Sequence, residues 1–593
     1  MNSPAKSRKI GKMRPSSAVS MHGPGAVVDM PTLSAIMMGL SYWNPTGEDI
    51  VEEVRLQQFL GVENFYGPPK PREGQFGGLP ASVFPEYLIC PHSKCRRLAK
   101  YAEFDVHPFG AVEYRCDNAD AHPGWKPTAF TARFMIACPK GHIDDFPWSQ
   151  YVHKSSGSCA GPLALHDTGN SGTVSDLVVK CRSCGAKRSM AYAFKKGVIG
   201  RCSGRWPWLS PGDKENCDQE SRTLLRGASN AYFSVMASAI TIPPWSDPIH
   251  GYLAKYRVIL ANVDSLEKLE QLFGMGVVPE LTSRFTASQV WDAMSEKPAQ
   301  EGLRIAEWRA LTKADGYATS QDGCEFESNP EIVPPKFQDH IEQVMAVTRL
   351  REVRALRGFT RIDVIAEAGD DDVSAVDVRM AKLVGERGFP WLPAVDLRGE
   401  GIFIRLKEGG MHGLQQWEKK KAVQEEATRL AEIWKQWRLD KEMPELPFPG
   451  MRMLLVHSLS HGLIRQLTLD SGYSSAAIRE RLYVSNGEQP MAGILLYTAS
   501  NDSDGSLGGL VDQARSSRLE EVLSGALREA GLCAQDPLCG GREMEASVSL
   551  NGSACHACLL IAENSCERGN RLLDRNLLVS TVGMAGLEYF GNL

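Results

Sequence analysis

The distribution of cysteine constrains this sequence more than any other feature. Of the fifteen cysteines, nine lie between Cys90 and Cys217, five lie between Cys533 and Cys566, and Cys324 stands between the two clusters. In a reducing compartment, clustered thiols are more plausibly metal ligands than disulfides. We therefore predict metal-stabilised regions in both parts of the chain, with buried free thiols or a disulfide framework as the alternatives.

The sharpest motif is the pair Cys181 and Cys184, which is followed by Cys202 and Cys217. A gap of two residues lets both thiolates of one tight turn reach the same ion, and a second pair completes a tetrahedron. The spacing is that of a zinc ribbon. Because four sulfurs leave no open coordination position, these four residues are predicted to form a structural site.

A second N-terminal site is indicated by Cys90, Cys95 and Cys116, with His122 as the fourth ligand. The ligand set of this second site is not fixed by the spacing. A further thiol and imidazole are spaced for one ion in the segment Cys-Pro-Lys-Gly-His, and another thiol follows. Either side chain of that segment also has a plain packing or hydrogen-bonding interpretation. The competing residues are Cys138, His142 and Cys159.

The C-terminal cluster has five thiols, one more than a tetrahedral ion accepts. Cys555 and Cys558 form the anchoring pair, with Cys539 and Cys566 as the predicted partners and Cys533 as the spare thiol. Together, the clusters predict two or three structural zinc ions.

The length of 593 residues, with 43% hydrophobic and 23% charged residues, predicts several globular domains. The fold class expected is α+β, a mixed multidomain chain with a zinc-ribbon-like N-terminal region, a helical middle and an α/β C-terminal domain.

Apolar residues recur at helical spacing in segments 263–273, 287–294, 302–312, 337–356 and 415–439. The predicted boundaries are 1–80 (a basic arm and N-terminal segment), 81–220 (zinc-binding), 221–410 (mostly helical), 411–445 (a long amphipathic helix) and 446–593 (a zinc-binding domain with four cysteine ligands).

Catalytic motifs are weak or missing. The chain has no Gly-rich phosphate loop ending in Gly-Lys-Ser/Thr, so we expect no ATPase activity from it alone. His457 and His461 share the spacing of a zinc peptidase, but Ser458 stands where the glutamate base is needed. Paired histidines in the core, or histidines that support a metal site without binding the ion, are the better interpretation. His142 with Asp144 and Asp145 is a combination that a metal-dependent nuclease uses, although adjacent acids are usually solvated.

A basic segment surrounds the predicted zinc ribbon. Between residues 177 and 212 there are eight basic residues and no acidic one, interleaved with Tyr192, Phe194, Trp206 and Trp208. Such a surface suits a nucleic-acid backbone, because each phosphate contact releases counterions and aromatic rings stack on bases. A surface for a protein partner is the alternative. The basic residues are Lys180, Arg182, Lys187, Arg188, Lys195, Lys196, Arg201 and Arg205.

Nothing in the sequence predicts a membrane or a secretory route. Apolar runs are broken by polar residues or proline, and residues 1–13 are basic with no apolar segment behind them. A cytoplasmic protein is therefore expected.

Several dispersed segments together resemble the DrmB family, subunits of the DISARM anti-phage defence system of bacteria. The C-terminal part is similar to the cysteine-bearing domain at the end of MrfA-type DNA-repair helicases. The segments that carry the first resemblance are 14–17, 22–29, 138–148, 349–353, 358–359 and 399–403, and those that carry the second are 457–461, 554–559 and 570–575.

The resemblance implies a non-catalytic accessory subunit that partners the helicase DrmA, which supplies the ATP site this chain lacks. It also implies engagement of invading DNA, single-stranded or duplex, alongside a methyltransferase. Zinc ligation carries over best to Cys539, Cys555, Cys558 and Cys566. A metal-dependent nuclease and a protein-only scaffold are the alternative functions.

Overall fold

The computed structural model of the chain describes most of its residues. The described ranges are 10–70, 78–107, 112–154, 159–169, 173–210, 212–295, 302–317, 323–362, 380–385, 390–441, 443–474, 476–500, 509–541, 550–582 and 585–591. Most of the predicted basic arm, including Lys6, Arg8 and Lys9, lies outside them. Among the helices in these ranges, none is both long and apolar enough to span a bilayer.

Strands in the first 225 residues are short, two to five residues each. They are β1 (Val27–Asp29), β2 (Ser34–Met37), β3 (Ile50–Val51), β4 (Asn64–Tyr66), β5 (Ala81–Val83), β6 (Tyr87–Ile89), β7 (Arg97–Lys100), β8 (Asp105–Val106), β9 (Tyr114–Arg115), β10 (Phe130–Thr131), β11 (Phe134–Ala137), β12 (Ile143–Asp145), β13 (Leu163–Asp167), β14 (Leu177–Cys181), β15 (Lys187–Ser189) and β16 (Arg222–Leu225). The helices are α1 (Pro15–Ser20), α2 (Val54–Leu60) and α3 (Trp148–His153). Strands this short bury little apolar surface, so they need other support.

Two small sheets organise this region. A six-stranded sheet has the order β10-β6-β7-β13-β14-β15, and a three-stranded sheet has the order β12-β11-β16. Antiparallel hairpins β6–β7, β11–β12 and β14–β15 dominate both sheets. Each of these three hairpins carries cysteine or histidine at its turn, so the sheets position the candidate ligands.

The rest of the chain is built around a longer sheet with the order β17-β19-β20-β22-β21, in which β18 pairs with β19 and β4 pairs with β20. Its strands are β17 (Phe233–Ile240), β18 (Glu327–Glu331), β19 (Ile341–Thr360), β20 (Trp391–Leu406), β21 (Ile478–Ser485) and β22 (Met491–Ser500). This sheet crosses the domain boundary predicted near residue 446, because β22 pairs with β20.

Helices cover this sheet and form a satellite beside it. They are α4 (Pro248–Lys255), α5 (Arg257–Leu260), α6 (Leu266–Gly274), α7 (Pro279–Thr282), α8 (Ala287–Ser295), α9 (Leu303–Leu311), α10 (Leu414–Glu418), α11 (Lys421–Asp440), α12 (Met451–Ser471) and α13 (Ser516–Gly531). Three of the predicted middle helices correspond to α6, α8 and α9. The mixed fold class, with helices and several sheets, is confirmed.

The predicted helix over 337–356 is wrong, because that segment lies mostly in the 20-residue strand β19. The strand is buried along most of its length, and a register shift falls between Val347 and Leu350. A strand buried on both faces shows near-continuous apolar runs, which periodicity alone does not separate from a helix. The β-branched Val344, Val347 and Val353 favour the strand. The helical middle of the prediction therefore holds for 221–311 only in part, and not for 337–360.

The predicted amphipathic helix over 415–439 forms as α10 and α11. Its apolar stripe, Val423, Leu430, Trp434 and Trp437, is buried in a core shared with α12, α13 and the long sheet. The stripe is therefore an internal packing face. Leu439, at the end of α11, remains 69% exposed.

Arg361 joins several of the dispersed segments that carry the family resemblance. Its buried guanidinium donates hydrogen bonds to the carbonyls of Gly25 (2.6 Å), Gly141 (2.9 Å) and Ala231. It also lies 4.7 Å from the ring centroid of Phe359. Segments 22–29, 138–148 and 358–359 are far apart in sequence but meet at this side chain, which ties the N-terminal region to the end of β19.

Candidate metal centres

Five groups of side chains in the described ranges bring four potential ligand atoms within 4.8 Å of one another. All cysteines are free thiols. Zinc bonds of about 2.3 Å to sulfur place two ligands of a tetrahedron about 3.8 Å apart, far from the ~2.05 Å of a disulfide. The groups are A (Cys90, Cys95, Cys116, His122), B (Cys138, His142, Cys202, Cys217), C (His153, Cys159, Cys181, Cys184), D (Cys533, Cys539, Cys555, Cys558) and E (His457, His461, Glu480, Cys566).

Group A brings together the four residues that the sequence predicts for the second N-terminal site. Cys90 follows β6, Cys95 lies in the β6–β7 turn, and Cys116 follows β9. The Sγ atoms of Cys95 and Cys116 are 3.9 Å apart, and Nε2 of His122 is 3.7 Å from Sγ of Cys90. Nδ1 of His122 lies 2.9 Å from the carbonyl oxygen of Trp125. Because a carbonyl only accepts, Nδ1 carries the proton and Nε2 is left to ligate.

Group B is built at the β11–β12 hairpin, whose turn holds Cys138 and His142, and is completed by the loop that holds Cys202 and Cys217. Sγ of Cys138 lies 3.3 Å from Nδ1 of His142 and 4.0 Å from Sγ of Cys217. Nε2 of His142 lies 3.0 Å from a carboxylate oxygen of Glu215. A carboxylate on the second ring nitrogen is a common support for a metal-ligating histidine.

Group C is built at the β14–β15 hairpin. Cys181 ends β14, Cys184 lies in the turn, and His153 ends α3. The Sγ atoms of Cys159 and Cys181 are 3.6 Å apart, and Nε2 of His153 is 3.3 Å from Sγ of Cys184. Nδ1 of His153 lies 2.7 Å from the carbonyl oxygen of Ser149, which again leaves Nε2 facing the thiols.

The structure does not bring the four residues of the predicted zinc ribbon together. Cys181 and Cys184 lie in group C, whereas Cys202 and Cys217 lie in group B. The two groups are nested, since group C occupies residues 153–184 within the span 138–217 of group B. The Cys-x2-Cys spacing indicates which two thiols share an ion, but the pairing of strands in two different sheets decides which residues complete the set.

Group D contains the anchoring pair Cys555 and Cys558, whose Sγ atoms are 3.7 Å apart. Cys533 lies 3.5 Å from Cys555, and Cys539 lies 3.7 Å from Cys558. These distances fit a tetrahedron of four sulfurs. Cys533, the predicted spare thiol, is therefore a member, and Cys566, a predicted ligand, lies in group E instead.

Group E is not predicted by the thiol spacing, although the sequence shows its two histidines as a helical pair. His457 and His461 lie one turn apart on α12, Glu480 lies on β21, and all three side chains are fully buried. Burial alone would raise the pKa of Glu480, but the two histidines hold that pKa well below its usual value. Burial and the neighbouring Glu480 raise the pKa of the Cys566 thiol. The glutamate and the fourth ligand are 19 and 105 residues beyond His461, so no local spacing links them.

Each of groups A to D contains a thiol with a lowered pKa. Hydrogen bonding from Cys138 lowers the pKa of Cys202 to about 4, and the backbone N–H of Cys184 lowers that of Cys181 to about 6. For Cys95 and Cys555, burial is outweighed by backbone N–H groups and by neighbouring side chains, and each pKa falls to about 7. Thiolates are the form that binds metal.

The predicted basic surface is retained in part. Lys180, Arg182, Lys187, Lys195, Lys196 and Arg201 are exposed. Tyr192 and Phe194 are 49% and 48% exposed, and Nζ of Lys195 lies 5.0 Å from the ring of Tyr192. Trp206 and Trp208 are buried in a core, so they do not present stacking surfaces.

Among the described residues, three of the eight basic side chains have ion-pair or hydrogen-bond partners. Arg205 forms ion pairs with Glu86 (2.5 Å) and Asp144 (2.9 Å). Arg188 donates to the carbonyl of Tyr151 (3.1 Å), and Arg182 donates to the carbonyl of Cys95. These contacts join separate segments of the zinc-binding region.

The residues of the nuclease hypothesis do not converge on one ion. His142 belongs to group B, Asp144 pairs with Arg205, and Asp145 accepts the backbone N–H of Glu86 at 2.8 Å. Burial, with Glu86 and Asp144 nearby, raises the pKa of Asp145 to about 7. In the described residues neither carboxylate joins a group of candidate ligands.

Comparison with known proteins agrees with the division of the chain into two cysteine-bearing parts. A family described as a domain of unknown function (DUF8724) matches residues 14–233, which contain groups A to C. The MrfA Zn-binding domain matches residues 459–559, which contain all of group D. The C-terminal part is thus similar to a zinc-binding domain.

One relative covers nearly the whole chain. The DISARM protein DrmB of Bacillus paralicheniformis is 31% identical over 578 residues, which are 94% of this chain and 99% of the relative. The chain belongs to the DrmB family of DISARM proteins.

Proposed function

We propose that the chain is a zinc-stabilised, non-catalytic accessory subunit of DISARM defence, which forms a heterodimer with the DrmA helicase in the cytoplasm and supports its engagement of DNA. The observation that carries the proposal is the match to DrmB along almost the entire length of both proteins. The absence of a phosphate loop from the sequence agrees with an energy source on the partner.

Groups A to D are proposed to hold one zinc ion each. Every group offers four ligands from the set that zinc prefers, so no position stays open for a water or a substrate. Such closed sites act in folding, not in catalysis. Their zinc ions would fasten hairpins that are too short to be stable alone, and would leave the exposed surface for partners.

Support for DNA engagement comes from the exposed basic residues beside groups B and C. In the described part of the chain, no carboxylate lies within ion-pairing distance of Lys187, Lys195 or Lys196. Unpaired lysines beside the half-exposed rings of Tyr192 and Phe194 suit a phosphate backbone and unstacked bases.

The partnership is tested by co-expression of the chain with the helicase subunit. We expect the two to co-purify, and we expect the heterodimer to bind DNA more tightly than the helicase alone or to hydrolyse ATP at a different rate. If the subunits do not associate and neither quantity changes, the proposal is wrong.

The basic surface is tested by the triple variant Lys187→Glu, Lys195→Glu and Lys196→Glu. Lost phosphate contacts should weaken DNA binding by the heterodimer and reduce the slope of log K against log salt by up to about three. A matched control reverses Lys419, Lys421 and Lys435, which are exposed beside or on α11. Equal DNA affinity in the two variants would favour a protein-only scaffold.

A further inference from the structure

The C-terminal region contains a second ligand group that neither the thiol pattern nor the matched zinc-binding segment accounts for. Group E uses His457 and Cys566, which lie outside the matched residues 459–559. We infer that group E is a separate metal centre, a buried zinc site with two nitrogens, one oxygen and one sulfur as donors. The inference goes beyond the proposed function, which needs only groups A to D.

The distances in group E fit a four-coordinate ion. Nε2 of His457 lies 3.2 Å from Sγ of Cys566 and 3.2 Å from Oε1 of Glu480, and Nε2 of His461 lies 3.6 Å from the same oxygen. Zinc bonds of about 2.0–2.3 Å place tetrahedral ligands of these types about 3.4–3.6 Å apart. The four donors are therefore close to the positions that one ion requires.

The surroundings of group E orient its donors. Nδ1 of His461 lies 2.9 Å from the carbonyl oxygen of Leu559, so it must carry the proton and leave the lone pair of Nε2 facing the group. Within the described residues, that buried Nε2 has no hydrogen-bond partner. Oε2 of Glu480 accepts from the hydroxyl of Ser460 at 2.6 Å, which turns Oε1 towards the histidines.

Cys566 has the local geometry of a thiolate ligand. Its Sγ accepts the backbone N–H groups of Arg568 (3.3 Å) and Asn570 (3.2 Å). The thiols of groups B and D show the same contact two residues on, from Gly204 to Cys202 (3.3 Å) and from Gln535 to Cys533 (3.4 Å). Such N–H groups stabilise negative charge on sulfur.

The charge of the donors matches a divalent cation in a site where three of the four donor side chains are fully buried. One carboxylate and one thiolate supply two negative charges, and two neutral imidazoles supply none, so a Zn²⁺ ion makes the centre neutral. A buried centre with uncompensated charge would be costly. The histidine and glutamate side chains have no exposed surface, Cys566 is partly exposed, and four protein donors leave no coordination position open, so we assign group E a structural role.

A zinc ion at group E would join α12 and β21 to the segment that follows group D. The same face of α12 already holds the group D loop, because Arg465 donates to the carbonyls of Ala557 (2.8 Å) and Leu560 (3.2 Å). The metal would therefore lock the cysteine-bearing loop to the core helix.

Metal analysis of matched variants tests the inference. Cys566→Ala should contain one zinc ion per chain fewer than the unmodified protein, and Glu480→Gln should show the same loss. The control is Cys324→Ala, which removes a buried thiol outside all five groups and should keep the full count. An unchanged zinc count in folded Cys566→Ala would refute the site.

Anomalous diffraction at the zinc edge from the unmodified chain decides the matter if the variants do not fold. A peak between His457 and Cys566 is the result expected. Peaks at groups A to D without one at group E would overturn the inference while leaving the proposed function intact.

Discussion

The N-terminal zinc-binding region and the C-terminal region use cysteine in different settings. In the first, strands of two to five residues surround groups A to C, and the apolar residues are divided among several clusters. In the second, groups D and E lie beside a large core formed by α11, α12, α13 and the long sheet. The same ligand chemistry therefore holds short strands around several smaller cores in one region and fastens loops to one large core in the other.

The largest difference between the two regions is expected when the metal is removed. After chelation we expect residues 81–225 to lose their amide protection while β19, β20 and α12 keep theirs, because zinc supplies about 10–16 kcal/mol in small zinc-dependent folds. Hydrogen exchange followed by mass spectrometry measures both regions in one sample. Uniform loss or uniform retention of protection would show that the two regions do not differ in this way.

The next largest effect is expected from substituting ligands of groups B and C, whose residues are nested in the sequence. Cys181→Ser and Cys202→Ser should each release one zinc ion, and the double variant should release two, because the two thiols belong to different groups. Metal analysis gives the count. Release of a single ion by the double variant would mean that the two cysteines share one site, as their sequence spacing suggests.

Arg361 has no carboxylate partner among the described residues, but its substitution is expected to destabilise the fold. Arg361→Lys loses a planar donor that serves three backbone carbonyls, so we expect unfolding to become easier by about 4 kcal/mol. Denaturant unfolding measures the change. The control Arg398→Lys alters a half-exposed ion pair and should cost at most about 1 kcal/mol. Equal changes in the free energy of unfolding for the two variants would show that Arg361 does not link the regions.

A smaller effect is expected in the C-terminal core, where packing carries the stability. Leu430→Ala leaves a cavity beside α12 and should cost about 3 kcal/mol without loss of zinc. Leu439→Ala, on the exposed end of the same helix, should change the free energy of unfolding by less than about 0.5 kcal/mol. A loss of zinc from Leu430→Ala would show that core and metal centres are not independent.

Local spacing predicted the parts of the sites that lie in one turn. The pairs Cys181–Cys184 and Cys555–Cys558 are each in one group, and all four residues of group A come together. The remaining ligands depend on strand pairing and on helix packing, which no spacing records. For this reason the spacing assigns Cys202 and Cys217 to partners other than those that the structure gives them, and it assigns to Cys566 the place in group D that Cys533 occupies.

Local patterns also predict only part of the fold. Helices with one buried face, such as α11, carry a periodic pattern that the sequence displays. The strand β19 is covered on both sides, so its valines and arginines gave a pattern that resembles a helix. Group E combines both difficulties, since its histidines are visible as a helical pair while Glu480 and Cys566 are brought there only by the packing of β21 and the last loop.

The most direct measurement is the mass of the intact, folded chain under native conditions. We expect a monomer that carries at least four zinc ions, one for each of groups A to D, and a fifth if group E is a metal centre. A well-folded chain that carries no metal would contradict the central claim that zinc holds these regions together.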